Sequence, residues 1–313
     1  MEQTVLSIRN LVKRYNSSDV NAVDDISFDV YAGELFCLLG VNGAGKSTTI
    51  NIICTLLEKT KGGITLDGST LGKDDNDIRQ KIGVVFQGNV LDGVLTAKEN
   101  ILTRAAFYGL DKSEAKKRTA YLAEKLSMTS FLNQKYEKLS GGQRRKCDIA
   151  RALLAEPKIL FLDEPTTGLD PQSRIELWET IDEIRKNDQM TVFLTTHYME
   201  ETDTADRVAI IDSGKVLCLD TPQRLKTEHS NDTLKLVVKE GCNEKIERII
   251  KSNENGQYIK SFELIADTYI IKMKNGIDSI DLLPKVKPYL DSFEMEKGNM
   301  DSVFLNVVGR KAE

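Results

Sequence analysis

The segment Gly40–Thr48, which reads GVNGAGKST, constrains this chain more than any other feature. It follows the short apolar strand pattern Leu35–Leu39 and precedes the helical run Thr49–Leu56. Glycines allow backbone N–H groups to turn inward onto phosphate oxygens, and the N-terminus of the following helix adds positive charge. Strand, glycine-rich loop and helix in this order predict a phosphate-binding loop.

Within this loop each residue type has a role. Lys46 can reach the outer phosphates of a nucleotide, and the Ser47 hydroxyl can ligate Mg²⁺. The residues that we expect to bind the nucleotide here are Gly40, Asn42, Gly43, Ala44, Gly45, Lys46, Ser47 and Thr48.

A second feature is the apolar strand Ile159–Leu162, which ends in two carboxylates, Asp163 and Glu164. Parallel sheets bind ligands at the carboxyl ends of their strands. We therefore expect Asp163 to hold Mg²⁺ and Glu164 to accept a proton from an attacking water. Ordinary solvated acids at a strand end are the alternative, and the phosphate-binding loop disfavours it.

Charge and hydropathy exclude several classes of protein. The chain has 313 residues, with 43 Lys and Arg against 48 Asp and Glu, which gives a net charge of -5. This charge disfavours a dedicated nucleic-acid binder. The apolar runs are shorter than the roughly 20 residues of a membrane helix, and the polar N-terminus resembles no secretion signal. We therefore expect a cytoplasmic protein.

The order of strand and helix patterns predicts two domains. Short strand patterns up to about residue 88 indicate a sheet-rich lobe, and helical spacing predicts an inserted subdomain at about 97–140. Alternating helices and strands from 141 to 212 predict a mainly parallel sheet. A polar, turn-rich segment at 227–232 places the boundary between domains 1–228 and 229–313. The second domain reads βαββαβ, which fits a small α+β, ferredoxin-like fold.

The pentapeptide Leu139–Gln143, LSGGQ, is the most discriminating motif, because phosphate-loop kinases and GTPases do not need it. With it the chain resembles the ATP-binding cassette (ABC) family over residues 4–220. The runs 145–153 and 164–174 look most like the daunorubicin/doxorubicin-resistance branch of exporter ATPases. The resemblance implies an α/β P-loop NTPase (RecA-like) cassette with an antiparallel β subdomain and a helical insert.

The resemblance also implies roles in binding ATP. In the family, the signature motif contacts the γ-phosphate held by the opposite subunit, and its counterparts here are Ser140, Gly141, Gly142 and Gln143. Asp170, in Thr167–Asp170, resembles the D-loop residue at the dimer seam. Tyr15 resembles the aromatic residue that stacks on adenine, with a core tyrosine as the alternative.

Further roles implied by the resemblance concern hydrolysis. Gln87 matches the Q-loop glutamine that senses Mg²⁺ and the attacking water. His197 matches the switch histidine that reaches the γ-phosphate, with a surface histidine as the alternative. The catalytic residues are then Glu164, His197, Gln87 and Lys46, and the Mg²⁺ ligands are Ser47, Gln87 and Asp163.

The function implied is that of an ATP hydrolase that powers a membrane exporter, with ATP and Mg²⁺ as cofactors. We expect a homodimer bound to an integral membrane permease, peripheral on the inner face of the cell membrane, and no nucleic-acid partner. The alternative is a soluble ABC ATPase acting on nucleic acid or ribosomes, but the chain has neither long heptad insertions nor a second cassette. A phosphate-loop kinase or a structural nucleotide-binding module would leave the signature motif without a role.

Overall fold

The computed structural model describes residues 3–88, 90–252 and 256–309. The chain divides into two compact units, one ending at Asp220 and the other beginning at Thr221. The predicted boundary, after residue 228, lies further along the chain than the observed one. The difference arises because the helix Pro222–His229 packs on the helix Met300–Gly309 and so belongs to the second unit.

The strands of the first unit are, in chain order, β1 (Thr4–Arg14), β2 (Asn21–Tyr31), β3 (Leu35–Leu39), β4 (Lys61–Leu66), β5 (Ser69–Thr70), β6 (Ile82–Val85), β7 (Ile159–Asp163), β8 (Thr191–Thr196), β9 (Arg207–Asp212) and β10 (Lys215–Asp220). Its helices are α1 (Lys46–Ile53), α2 (Asp75–Lys81), α3 (Ala97–Phe107), α4 (Lys112–Lys125), α5 (Gly141–Leu153) and α6 (Pro171–Asp188).

The central sheet has the strand order β10-β9-β3-β8-β7-β6. All neighbours from β9 to β6 are parallel, and β10 is antiparallel to β9. Every residue of β3, β7 and β8 is buried, as continuous apolar strands of a parallel sheet covered on both faces should be. The segments that follow β3, β6, β7 and β8 therefore leave the sheet at the same edge.

A second sheet, with the order β2-β1-β4-β5, is antiparallel. Aromatic rings join it to the central sheet. Phe28 in β2 stacks on Phe36 in β3 with 5.0 Å between ring centroids, and Phe193 in β8 lies 5.3 Å from Phe36 and 5.4 Å from Phe161. Both sheets thus share one apolar core beneath the phosphate-binding loop.

Helices α3 and α4 form the insert between β6 and α5, and each begins at a capping side chain. Thr96 and Glu99 form a reciprocal capping box at the start of α3, and Asp111 accepts two backbone N–H groups at the start of α4. Within the described residues, none of the helices is both long and apolar enough to cross a bilayer.

The second unit contains, in chain order, α7 (Pro222–His229), β11 (Thr233–Val238), α8 (Asn243–Lys251), β12 (Ile259–Ile265), β13 (Thr268–Met273), α9 (Ser279–Val286), β14 (Leu290–Glu296) and α10 (Met300–Gly309). Its antiparallel sheet has the order β12-β13-β11-β14, which is the arrangement of a split βαβ unit. One face of the sheet packs on α8 and α9 through Leu236, Ile246 and Val286. Helix α9 ends before a short 3₁₀ turn that contains Pro288.

Candidate active site

The phosphate-binding loop connects β3 to α1, and glycine is required at two of its positions. Gly45 has φ +108°, and a Cβ there would lie 2.5 Å from the carbonyl oxygen of Ala22. A Cβ at Gly40 would lie 2.4 Å from the carbonyl oxygen of Ile211. The first turn of α1 contains no acidic residue, so nothing within that turn offsets the positive end of the helix dipole.

The loop forms one wall of an open pocket of about 270 Å³. The residues that line it are Ala22, Asn42, Gly43, Gly45, Lys46, Ser47, Thr48, Gln87 and Glu164. Six of the eight residues predicted from the loop therefore line the same pocket as two predicted catalytic residues from other strand ends.

Lys46 carries a buried positive charge into this pocket. Its ammonium nitrogen donates to the carbonyl oxygens of Gly40 (2.8 Å) and Val41 (3.1 Å). The same nitrogen lies 3.2 Å from Oε1 of Glu164, and both side chains are almost fully buried. A buried ammonium needs a charged partner and hydrogen-bond acceptors, and these contacts supply both.

Glu164 follows β7 in a left-handed backbone conformation, with φ +46°, which is uncommon for a residue other than glycine. Its N–H donates to the Thr195 carbonyl oxygen at 3.1 Å, which holds this turn against β8. Its Oε2 lies 3.3 Å from Nε2 of Gln87 and 3.2 Å from Nδ1 of His197. The turn therefore directs the carboxylate towards side chains from three other strand ends.

His197 lies directly after β8 and is partly buried. Among the described residues its Nδ1 makes no hydrogen bond of acceptable geometry, although Glu164 is within ion-pair distance. The imidazole packs on the ring of Tyr198, with centroids 4.1 Å apart, and the Arg174 guanidinium lies 4.4 Å above Tyr198. The surface alternative for His197 is therefore disfavoured, since it faces the pocket carboxylate.

Two oxygen atoms that could bind a metal ion, the Ser47 hydroxyl and a carboxylate oxygen of Asp163, lie close together. The Ser47 hydroxyl donates to Oδ1 of Asp163 at 3.3 Å, and Thr195 donates to the same oxygen at 2.6 Å. Hydroxyl and carboxylate oxygens are hard ligands of the kind that Mg²⁺ prefers, together with phosphate and water oxygens. The donor set fits the predicted ion. Gln87 uses its amide nitrogen on Glu164, which leaves its amide oxygen as the atom that could serve the ion.

Tyr15 lies beside the loop and is not a core residue. Its side chain is 39% exposed, and its hydroxyl lies 3.2 Å from Oγ1 of Thr48. The ammonium of Lys13 lies 5.2 Å from the centre of the ring. An exposed ring next to the phosphate-binding loop is available for stacking, as its predicted role requires.

The signature residues Ser140–Gln143 form the N-terminus of helix α5. Ser140 caps α5 by accepting the N–H of Gln143 at 3.3 Å, and the Gln143 amide oxygen accepts the N–H of Ser140 at 3.0 Å. A Cβ at Gly142 would lie 3.0 Å from Oγ of Ser173, so the glycine allows close packing against α6. Asp170 caps α6, and its hydrogen bonds from Ser173 lower the pKa of its carboxyl.

These signature and D-loop residues do not belong to the pocket of the phosphate-binding loop. Among the described residues, the lining of that pocket includes neither Ser140–Gln143 nor Asp170. Within one chain, the predicted nucleotide residues thus fall into two groups.

Sequence reasoning missed a positioning contact of Arg145. Arg144, Arg145 and Lys146 form a basic run near the start of α5, and the sequence alone fits a solvated face and a phosphate contact equally well. In the structure Arg145 is buried and donates to the carbonyl oxygens of Phe86 (2.6 Å) and Gln87 (3.3 Å). Burial lowers the pKa of this guanidinium. Helix α5 therefore holds the backbone that carries Gln87, a contact that no local pattern signals.

Comparisons with known proteins agree with this geometry. Residues 23–167 match the family described as "ABC transporter". The linearmycin resistance ATP-binding protein LnrL of Bacillus subtilis is 37% identical over 98% of this chain and 99% of its own length. The daunorubicin/doxorubicin resistance ATP-binding protein DrrA of Streptomyces peucetius is 33% identical over 97% of this chain and 92% of its own.

A solved structure is similar to about two thirds of this chain. The dimeric post-hydrolysis state of the ATP-binding cassette MJ0796, bound to ADP and Pi, superimposes with a TM-score of 0.63 and 29% sequence identity. The match covers 69% of this chain and 98% of that one.

Two substitutions separate binding from hydrolysis at this site. Lys46→Ala should weaken ATP binding and abolish hydrolysis, because the phosphates lose their neutralising charge. Glu164→Gln should bind ATP at near wild-type affinity and hydrolyse it at least about 100-fold more slowly, because a general base is lost. Phosphate release and binding of a fluorescent ATP analogue measure the two effects.

The controls are Lys73→Ala and Glu176→Gln, which remove an exposed lysine and an exposed glutamate. Both should behave as the wild type. Hydrolysis by Glu164→Gln at the wild-type rate would refute its assignment as the base.

Proposed function

Because this chain belongs to the ATP-binding cassette family and is an ATPase of that family, we propose that it is the subunit that powers a membrane exporter by ATP hydrolysis. The predicted family membership, the α/β cassette fold and the ATPase activity are confirmed. The site roles, the homodimer, the permease and the position at the membrane belong to the proposal.

One observation carries the export function: the likeness to the linearmycin and daunorubicin/doxorubicin resistance proteins extends over nearly the whole of this chain, second unit included. A likeness confined to the nucleotide site would fit any cassette. We therefore assign this chain to multidrug-type export, in which a separate permease selects the compound. The net charge of -5 gives no support to the nucleic-acid alternative.

In the proposed reaction, Lys46 neutralises charge on the outer phosphates of ATP. Those phosphates then compete with Glu164 for the same ammonium, and the carboxylate is released to accept a proton from water. Gln87 and His197, which both lie within 3.3 Å of Oε2, orient that carboxylate and the γ-phosphate. Mg²⁺, held by Ser47 and Asp163, would supply charge stabilisation at the phosphate oxygens.

The separation of the two groups of nucleotide residues supports a dimer. Ser140 and Gly142 provide a hydroxyl and a helix N-terminus, which together can bind an anion. The motif Leu139–Gln143 contains no lysine that could neutralise a phosphate. It is suited to complete a phosphate site that another chain begins. We propose that two copies enclose two ATP molecules, each contacting the phosphate-binding loop of one copy and the signature motif of the other.

Exposed apolar side chains in the segment after Gln87 and at the end of α3 support a membrane partner. Val94 is 68% exposed and Phe107, at the end of α3, is 78% exposed. Arg104 of α3 donates to the carbonyl oxygen of Val90 at 3.2 Å, which ties the helix to the segment after Gln87. We propose that this surface, defined by Val90, Val94 and Phe107, binds a permease at the inner face of the membrane.

We assign residues 221–313 a regulatory or dimer-supporting role. The two proposed nucleotide-binding groups both lie in the first unit, as the site residues above show. The second unit has its own apolar core and its own four-stranded sheet.

ATP should drive dimerisation of the Glu164→Gln chain, because Ser140 and Gly142 can contact a γ-phosphate only across a seam. Sedimentation velocity with saturating ATP and Mg²⁺ should give a dimer, and ADP should give a monomer. The matched control is Glu164→Gln with Ser140→Ala, which removes the hydroxyl and should weaken the dimer by about tenfold. A monomer with ATP at high protein concentration would contradict the homodimer and leave pairing with another cassette.

The permease surface is tested by replacing its exposed apolar side chains. Val94→Ser together with Phe107→Ser should lower the fraction that sediments with membranes of the native host by about tenfold, while ATP hydrolysis by the purified chain stays unchanged. Tyr121→Ser, at a 57% exposed ring on α4, is the control and should sediment like the wild type. Unchanged membrane association of the double variant would refute this surface.

A further inference from the structure

A buried carboxylate that the reaction does not use lies close behind the site. Glu201 belongs to the 3₁₀ turn Met199–Thr204, which follows His197, and its side chain is 4% exposed. Thr166 donates its hydroxyl to Oε1, and Thr196 donates its hydroxyl to Oε2 at 2.5 Å. Both threonines are fully buried, so one carboxylate joins two segments that are far apart in sequence.

On one side the contact reaches His197. The Thr196 hydroxyl that donates to Glu201 also accepts the N–H of Tyr198 at 2.9 Å. Residues 196 to 198 are therefore closed into a turn whose side-chain hydroxyl is held by Glu201. His197 is the middle residue of this turn, so the carboxylate limits where the imidazole can lie.

On the other side the contact reaches the segment after Glu164. The Thr166 carbonyl oxygen accepts the N–H of Leu169 at 3.0 Å, which forms the turn leading to Asp170. The neighbouring Thr167 donates its hydroxyl to Oε2 of Glu164 at 3.4 Å and its N–H to the Glu164 carbonyl oxygen at 3.3 Å. Holding Thr166 therefore limits movement of both the left-handed turn at Glu164 and the start of the D-loop.

We propose that Glu201 is a positioning residue that fixes His197 and the Glu164–Asp170 segment relative to each other, so that a change in one reaches the other. This inference rests on the proposed roles of Glu164 and His197 in hydrolysis.

A carboxylate suits this position for a physical reason. Two buried hydroxyls both need an acceptor, and a single ionised carboxylate provides one oxygen for each. Burial raises the pKa of Glu201, and the hydrogen bonds from Thr166 and Thr196 oppose that rise by favouring the charged form. Removal of the side chain would leave two hydroxyls without their acceptor and both turns free to shift.

The test compares Glu201→Ala with the nearly isosteric variants Thr166→Val and Thr196→Val in the full chain. Glu201→Ala should lower kcat for ATP hydrolysis about tenfold or more, the change expected when a hydrogen bond to a charged group is lost. The Kd for ATP should change less than about threefold, because Glu201 is not among the residues lining the nucleotide pocket. Each valine variant should show a smaller loss in kcat, and each keeps the proposal testable if Glu201→Ala does not fold.

A second set of variants shows through which residue Glu201 acts. In a His197→Ala background, Glu201→Ala should cause a clearly smaller further loss of kcat than in the wild type, because one of the two segments that it positions has already lost its functional side chain. Glu200→Gln, at the exposed neighbouring glutamate, is the control and should retain wild-type kcat. Unfolding midpoints are measured for all variants.

The proposal is overturned if Glu201→Ala lowers the unfolding midpoint but leaves kcat unchanged, which is the result for a purely structural carboxylate. It is also overturned if the losses from Glu201→Ala and His197→Ala are fully additive. Glu164→Gln is assayed in parallel. If that variant matched the wild type while Glu201→Ala stayed slow, the proposed base would be wrong and the positioning role of Glu201 would stand.

Discussion

The carboxylate of Glu164 is the group around which the rest of the candidate site is arranged. Its left-handed turn at the end of β7 places it among Lys46, Gln87 and His197, each of which follows a different strand of the same sheet. These side chains come together because parallel pairing places the carboxyl ends of their strands at one edge of the sheet. The charge of Lys46 is balanced there by one carboxylate, which is also the group that we propose as the general base.

Local pattern was sufficient to predict the phosphate-binding loop and the acids at this edge, whereas Gln87 and His197 were assigned from the resemblance to the ABC family. The phosphate-binding loop and the acids after Ile159–Leu162 are recognisable because strand and loop are contiguous in sequence, and six of the eight predicted loop residues line one pocket with Gln87 and Glu164. The αβ alternation likewise predicted a parallel sheet, since a right-handed crossover leaves few other topologies. In the second unit, the βαββαβ order followed from the alternation of periods two and 3.6.

What could not be predicted depends on contacts between distant segments. Arg145 belongs to a basic run that fits a solvated face or a phosphate contact equally well, and only the packing of α5 against β6 shows that it is buried on the Gln87 backbone. Glu201 reads as one acid among several in an acidic turn, and its two threonine partners come from separate strand ends. The domain boundary was placed too late for the same reason, because no local pattern shows that α7 packs on α10 and so belongs to the second unit.

We propose that Glu164 is the proton acceptor and that it stays paired with Lys46 until the phosphates of ATP bind that ammonium. The most direct measurement is a crystal structure of the wild-type chain with Mg²⁺, ADP and vanadate, which mimics the transferring phosphoryl group. We predict that Lys46 Nζ contacts the phosphate oxygens and that the Glu164 carboxylate lies within hydrogen-bond distance of the oxygen in line with the leaving group. A Glu164 carboxylate still paired with Lys46, and with no contact to that oxygen, would contradict the account.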